Sequence, residues 1–166
     1  MTMPIGSLYN GETPDLGKEG QIKSSEHIAG DRAAEGVVKF GRGVVQGTTA
    51  NQAKVISAAN QKLLGVAAYH AGANGLNSEQ YEDKDQMDII ENGIPSVWVE
   101  EAVNQNSPVR VRHTVGAAGT APGQFCTSAD AGKTAVLSGA KFKGSTTGAG
   151  RVLLDLSGVF TLTADV

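Results

Sequence analysis

Gly132-Lys133-Thr134, the lone Cys126, the three histidines and the acidic pair Glu100-Glu101 are the residues whose types could support chemistry in this chain. The triplet has the form of the end of a phosphate-binding loop. Such a loop needs an opening glycine so that its backbone N–H groups can wrap phosphates, and Thr127 stands in that place. A turn is the reading left for 132–134. Gly41-Arg42-Gly43 is a fragment of a dinucleotide fingerprint with no helix after it. His27, His70 and His113 are scattered, without the i, i+4 pairing or the neighbouring Cys or Asp that a metal site uses, so no metal and no cofactor is expected. Glu100 and Glu101 are adjacent on a strand and point to opposite faces, which prevents them from pairing as general acid and base. The serines lack a Gly-x-Ser-x-Gly elbow. Cys126 has no partner for an intrachain disulfide and reads as a small buried hydrophobe. Trp98, the single tryptophan, reads as core rather than as a stacking platform. No enzyme reading survives.

The elements that would position these residues fall into two unequal parts. Residues 1–35 contain no valine, phenylalanine or tryptophan, and Asn10-Gly11, Pro14 and Gly20 interrupt any regular element. From Val37 onward, short valine-rich runs separated by glycines persist almost to the C-terminus. The division predicts an extended N-terminal arm over 1–35 and one β-rich domain over 36–166. Ser24-Ser25-Glu26 is a cap for one or two helical turns ending near Ala34, the most structure the arm would hold. In the body, Pro108-Val109-Arg110-Val111-Arg112 alternates cleanly, with the valines inward and the arginines outward. Asn92-Gly93 marks a turn ahead of the Ile94–Val99 strand. About ten such runs, at the spacing of an antiparallel sandwich or barrel, give an all-β class. The 22 glycines among 166 residues fit many tight turns. Ala50–Lys62 is the best rival helix.

Charge is segregated. The arm carries six acidic and three basic residues, and the stretch 79–101 carries eight acidic residues against Lys84. The segments 36–78 and 102–166 are net basic. The acidic stretch reads as a solvated loop or, less economically, as a docking surface for a second subunit. A formal net charge of −3 argues against nucleic acid as a partner. No run reaches the ~18 apolar residues of a membrane span, and the first residues lack the basic and apolar regions of a secretory signal. Synthesis in a reducing cytoplasm is expected.

The order of motifs then resembles a known family. Ala34-Glu35-Gly36-Val37-Val38-Lys39-Phe40-Gly41-Arg42-Gly43-Val44-Val45-Gln46-Gly47-Thr48 is similar to the opening of the tailed-phage structural cement, or head decoration, proteins. Leu64-Gly65-Val66-Ala67, the Gly93–Val99 strand, Pro108–Arg112, Gly123-Gln124-Phe125, Asp130–Leu137, Gly139–Phe142 and Gly148–Leu156 follow collinearly, so the resemblance spans roughly 34–156. Asn104-Gln105-Asn106-Ser107 departs from the tight Pro-Gly-Asp type of turn of that pattern, and the acidic stretch at 77–91 is longer. The resemblance implies a jelly-roll-like or barrel body seated on the outer surface of a virion. Its partner would be a major capsid protein of the tailed-phage shell fold, and its role to stabilise the head against genome pressure. It also implies self-association, as a dimer before a trimer. The reading from another class is a carbohydrate-binding β-sandwich of a fibre or adhesin, for which Tyr69 and Tyr81 are the available aromatics.

An arm without a core must draw its ordering energy from outside, at roughly 1–2 kcal/mol per fixed residue. Ile5, Leu8, Tyr9 and Leu16 are the expected apolar anchors on capsid or cement subunits, helped by backbone pairing to a partner's sheet edge. On this reading a protein lacking residues 2–30 keeps a folded body and binds capsids weakly. Far-ultraviolet circular dichroism of the intact chain is expected to show β-structure. A helix-dominated spectrum would contradict the fold class.

Overall fold

The computed structural model describes residues 19–70, 79–117 and 119–165, with only the backbone of residues 24–26. Thirteen strands make up its regular structure, and no helix occurs among the described residues. They are β1 (Ile22–Ala34), β2 (Val38–Lys39), β3 (Gly43–Gln46), β4 (Gln52–Val55), β5 (Leu63–Ala67), β6 (Gln80–Tyr81) and β7 (Gln86–Val99), followed by β8 (Arg110–Arg112), β9 (Phe125–Cys126), β10 (Thr134–Ser138), β11 (Lys141–Phe142), β12 (Gly150–Asp155) and β13 (Thr161–Ala164). The protein is all-β, as its sequence predicts.

Two sheets share one strand. β1, β4, β3, β5 and β7 pair in that order, and β7 returns to β1, so the ring closes into a five-stranded barrel. All its pairings are antiparallel except β1–β4, where Ala33 and Ala34 run parallel to Gln52 and Ala53. Closure leaves these staves without a free edge. The second half of β7 leaves the barrel and pairs instead with β12, through Val97↔Val152 and Trp98↔Arg151, and with β9 through Val99↔Phe125. β8, β10 and β13 extend that second sheet on one side, and β11 extends it on the other.

Period-2 alternation sends the two faces of these strands into two cores. Ala34, Val44, Ala53, Ala67, Met87 and Ile89 fill the barrel, and Val38, Phe40 and Tyr81 of the β2–β6 side join them. Val45, Leu63 and Val66, on the opposite face of β3 and β5, pack with Val97, Val99, Val111, Phe125, Leu137, Phe142, Val152 and Leu154 of the second sheet. Both faces of β3 and β5 are therefore buried, which explains their near-continuous apolar composition. Gly65 is fitted to this crowding. A Cβ there would stand 2.2 Å from the Ile90 carbonyl oxygen on the adjacent β7.

Four sequence expectations are corrected. Residues 22–34 form a strand rather than one or two helical turns, because register with β7 from Ile22↔Pro95 to Ala33↔Gln86 supplies the backbone partners a lone helix would lack. Asn92-Gly93 makes no turn. It lies within β7, and the Gly93 carbonyl accepts the Leu156 N–H at 2.8 Å. The rival helix over Ala50–Lys62 does not form, and β4 runs there as the all-β reading requires. The stretch 79–101 is no single acidic loop, since it runs through β6 and β7. Its carboxylates meet specific partners, among them Asp88 on His70 (3.1 Å) and Glu91 on His27 (3.3 Å). The clean alternation at 108–112 holds for Val109 and Val111, which are buried, but Arg112 is buried as well.

Because β1 is a stave of the barrel, deleting residues 2–30 removes most of it, whereas deleting 2–18 leaves every described strand intact. The shorter truncation is expected to unfold with an unchanged urea midpoint and the longer one to lose cooperative unfolding. Equal midpoints would show that β1 is dispensable. Gly65→Ala is expected to cost about 1–3 kcal/mol in the same assay, as overpacking against backbone does.

Candidate functional site

Local backbone geometry builds a cleft where the chain enters the body. Gly20, in the left-handed region at φ +73°, threads between two strand ends: its N–H donates to the Ser96 carbonyl (2.7 Å) and its carbonyl accepts the Tyr69 N–H (2.8 Å). A Cβ at Gly20 would stand 2.6 Å from the Ala67 carbonyl oxygen, so only glycine fits. Glu19 is thereby placed beside the β2–β3 connection. Together with Lys39, Phe40, Arg42, Tyr69, Glu79, Trp98 and Arg151 it lines a cleft of about 420 Å³. Trp98 and Arg151 are paired neighbours on β7 and β12. Phe40 meets Tyr69 edge-on at 5.3 Å between ring centroids, fixing the aromatic wall.

Arg42 is the unusual member. Its side chain lies over Gly123, it is 9% exposed, and its Nη1 is buried without a hydrogen-bond partner. No carboxylate forms an ion pair with it among the described residues. Burial pushes the guanidinium below its ordinary pKa, against the fields of Glu19 and Glu100. Burial also raises the Glu19 carboxyl, opposed by Arg42. Trp98 belongs to neither core and is half-buried at the cleft, where the sequence reading made it core. Sequence reasoning missed the cleft because its residues come from six separate segments.

Arg112 shows the opposite electrostatic solution. Its Nε and Nη2 donate to the Glu100 carboxylate at 2.6 and 2.8 Å, and its Nη1 donates to Asp130 Oδ2 at 2.9 Å. The side chains of Arg112 and Glu100 are 7% and 6% exposed, so each neutralises a charge that water does not reach. Glu101 turns the other way and accepts the N–H groups of Thr127 and Ser128 and the Ser128 hydroxyl. The two adjacent glutamates thus go to separate partners, although both lie just past the end of β7 rather than on a strand.

The other chemistry-bearing residues are accounted for. Burial and the nearby Glu100 charge push the Cys126 thiol up to about 12, so it is protonated at neutral pH and is not a nucleophile. Gly132 and Lys133 lie in a turn whose Lys133 N–H donates to the Asp130 carbonyl (2.8 Å), and Thr134 opens β10. His27, His70 and His113 do not converge, and no metal-holding group of His, Cys, Asp and Glu occurs among the described residues. Asn104–Ser107 closes as a turn through the Ser107 N–H to the Asn104 carbonyl (3.0 Å). Tyr81 is fully buried, its hydroxyl donating to the Ala68 carbonyl (2.9 Å), which removes it as a sugar platform. Ile5, Leu8, Tyr9 and Leu16 lie outside the described residues.

The described residues form a closed barrel fused to a second sheet and bearing a cleft, an architecture of the all-β class. The comparisons give the family. The sequence model of the structural cement protein (E217 gp24/Pam3 gp6) matches residues 5–157, and the chain belongs to this family of non-enzymatic phage structural proteins. A search of curated proteins finds no match. A chain of the solved capsid of Myoviridae phage XM1 has a similar fold. It is 18% identical, with a TM-score of 0.66 over 93% of this chain and 98% of that one. The protein is a structural component of a phage capsid, associated with the shell proteins of the virion.

Arg112→Leu, which strands the buried Glu100 carboxylate, is expected to cost about 3–5 kcal/mol in urea unfolding. The double variant R112L/E100L is expected to recover most of that loss; equal destabilisation in both would deny the pair its coupling. Stability is also expected to fall on acidification. Hydrogen bonds from Thr48 hold Glu35 low, those from Arg112 hold Asp130 low, and those from Ser128 outweigh burial at Glu101. Carboxyls with depressed folded-state pKa values stabilise the fold above their ordinary range, about pH 4, and lose that contribution as pH drops through the folded values. Thermal melts between pH 7 and pH 3 read this directly.

Proposed function

We propose that this protein binds the outer surface of a tailed-phage shell as a cement, and that it stabilises the packaged head with its β body and its N-terminal arm. The observation that carries the reading is the family match across residues 5–157, which includes both the arm and the body. The fold supports it. A body with two cores and a closed barrel is rigid enough to brace a shell under load, and its described residues hold no machinery for catalysis.

Within this reading residues 1–35 are the arm and 36–166 the cement domain, with the inner part of the arm, from Ile22, tied to the body as β1. Ile5, Leu8, Tyr9 and Leu16 are the anchors on neighbouring capsid or cement subunits, each worth roughly 1.5–3 kcal/mol when fully buried. Copies associate on the shell, as dimers in preference to trimers. Neither nucleic acid nor membrane is a partner, and assembly follows synthesis in the host cytoplasm.

Shells assembled without the cement protein provide the test. Adding the purified protein is expected to saturate repeated outer positions, seen by cryo-electron microscopy, and to raise the temperature at which the shells disrupt. Deleting residues 2–18 is expected to lower occupancy at least tenfold. Failure of the intact protein to bind such shells would overturn the reading. Undiminished binding by the truncated protein would show that the outer arm contributes nothing.

A further inference from the structure

Arg42 is nine-tenths buried, yet its Nη1 has no acceptor and no carboxylate lies in ion-pair range among the described residues. Leaving a charge in this condition is costly, and folded proteins ordinarily pair or neutralise it. The same chain does so for Arg112, with two carboxylates. A guanidinium nitrogen buried without an acceptor in the free protein is placed to take one from outside. We propose that the cleft around Arg42 receives a single carboxylate side chain, carried on an apolar peptide segment of the capsid shell.

Three features define that ligand. Lys39, Arg42, Arg151, Glu19 and Glu79 line the cleft together. A lining of mixed sign around one unmatched guanidinium nitrogen suits a single carboxylate and disfavours a polyanion such as nucleic acid. Trp98, Tyr69 and Phe40 supply an apolar wall for the residues flanking the acid. The cleft also surrounds Glu19, where the first eighteen residues join the body, so an arm laid on a neighbouring subunit brings that subunit to the cleft. The inference rests on the cement reading and names a contact within it.

Trp98 is the single tryptophan of the chain and lines the cleft, so it reports occupancy. The full-length protein is made with 5-hydroxytryptophan, which is excited apart from the tryptophans of the shell, and titrated with cement-free shells. Its emission is expected to shift on binding, and Arg42→Met is expected to weaken binding at least tenfold. The melting temperature of the free R42M protein is expected to be unchanged or higher, since the variant removes an unpaired buried charge, and a folding defect would lower it. An acetylated and amidated Leu-Glu-Leu peptide at millimolar concentration is expected to compete with shells, whereas its Gln counterpart is not. R42M binding as tightly as wild type, or unchanged Trp98 emission on bound shells, overturns the proposal. So does an emission shift with 3′-sialyllactose but not with the Glu peptide, which would make this an acidic-sugar site. If the wild-type protein binds no shells at all, the cement reading itself fails.

Discussion

The fourteen residues of β7 take part in two sheets at once. From Gln86 to Pro95 they pair with β1 and β5 and close the barrel; from Ser96 to Val99 they pair with β12 and β9 and found the second sheet. A strand alternates its side chains with a strict period of two, so this one segment fixes the register on both sides. Met87 and Ile89 enter the barrel core, and Val97 and Val99 enter the second core. A slip of one residue along β7 would reverse the facing of all four and empty both cores together. The two bodies of β-structure are therefore joined through one shared strand.

The cleft follows from the same arrangement. Where β7 changes partners, the chain entering at Gly20 is pinned by the Ser96 carbonyl, and the next outward-facing side chain, Trp98, is left half-buried beside Arg151. The barrel and the second sheet thus diverge around a recess rather than packing flush. The Arg112–Glu100–Asp130 network is paired. The buried Nη1 of Arg42 has no hydrogen-bond partner, and neither has the buried Ser96 Oγ of the residue that pins Gly20.

Much of the fold is legible in the residues. Val109 and Val111 alternate with arginines and are buried. The valine and glycine runs after Val37 become strands, and the failed phosphate loop at 132–134 is a turn leading into β10. Less legible are elements defined by distant partners. Ile22–Ala34 has the polar composition of an arm and a weak helix cap, yet β7 offers it thirteen residues of strand. Asn92-Gly93 carries a strong local turn signal, which the pairing of β7 with β1 overrides, with shifts of register around these two residues. Local preference amounts to about 1 kcal/mol, and a ladder of backbone hydrogen bonds outweighs it.

The candidate site shows the same division. Sequence by itself showed none of the short, fixed spacings of residue types that local metal, nucleotide or nucleophile motifs use. It also determined the β class, since alternation and glycine-rich turns are local properties, and collinear motifs sufficed for the family. Only the tertiary structure decided that Trp98 lies outside the cores, that Arg112 is buried and paired, and that Arg42 is buried and unpaired. Burial and pairing depend on what other segments bring to a residue. Residues 19 and 151 become neighbours only once β7 has drawn the barrel and the second sheet together.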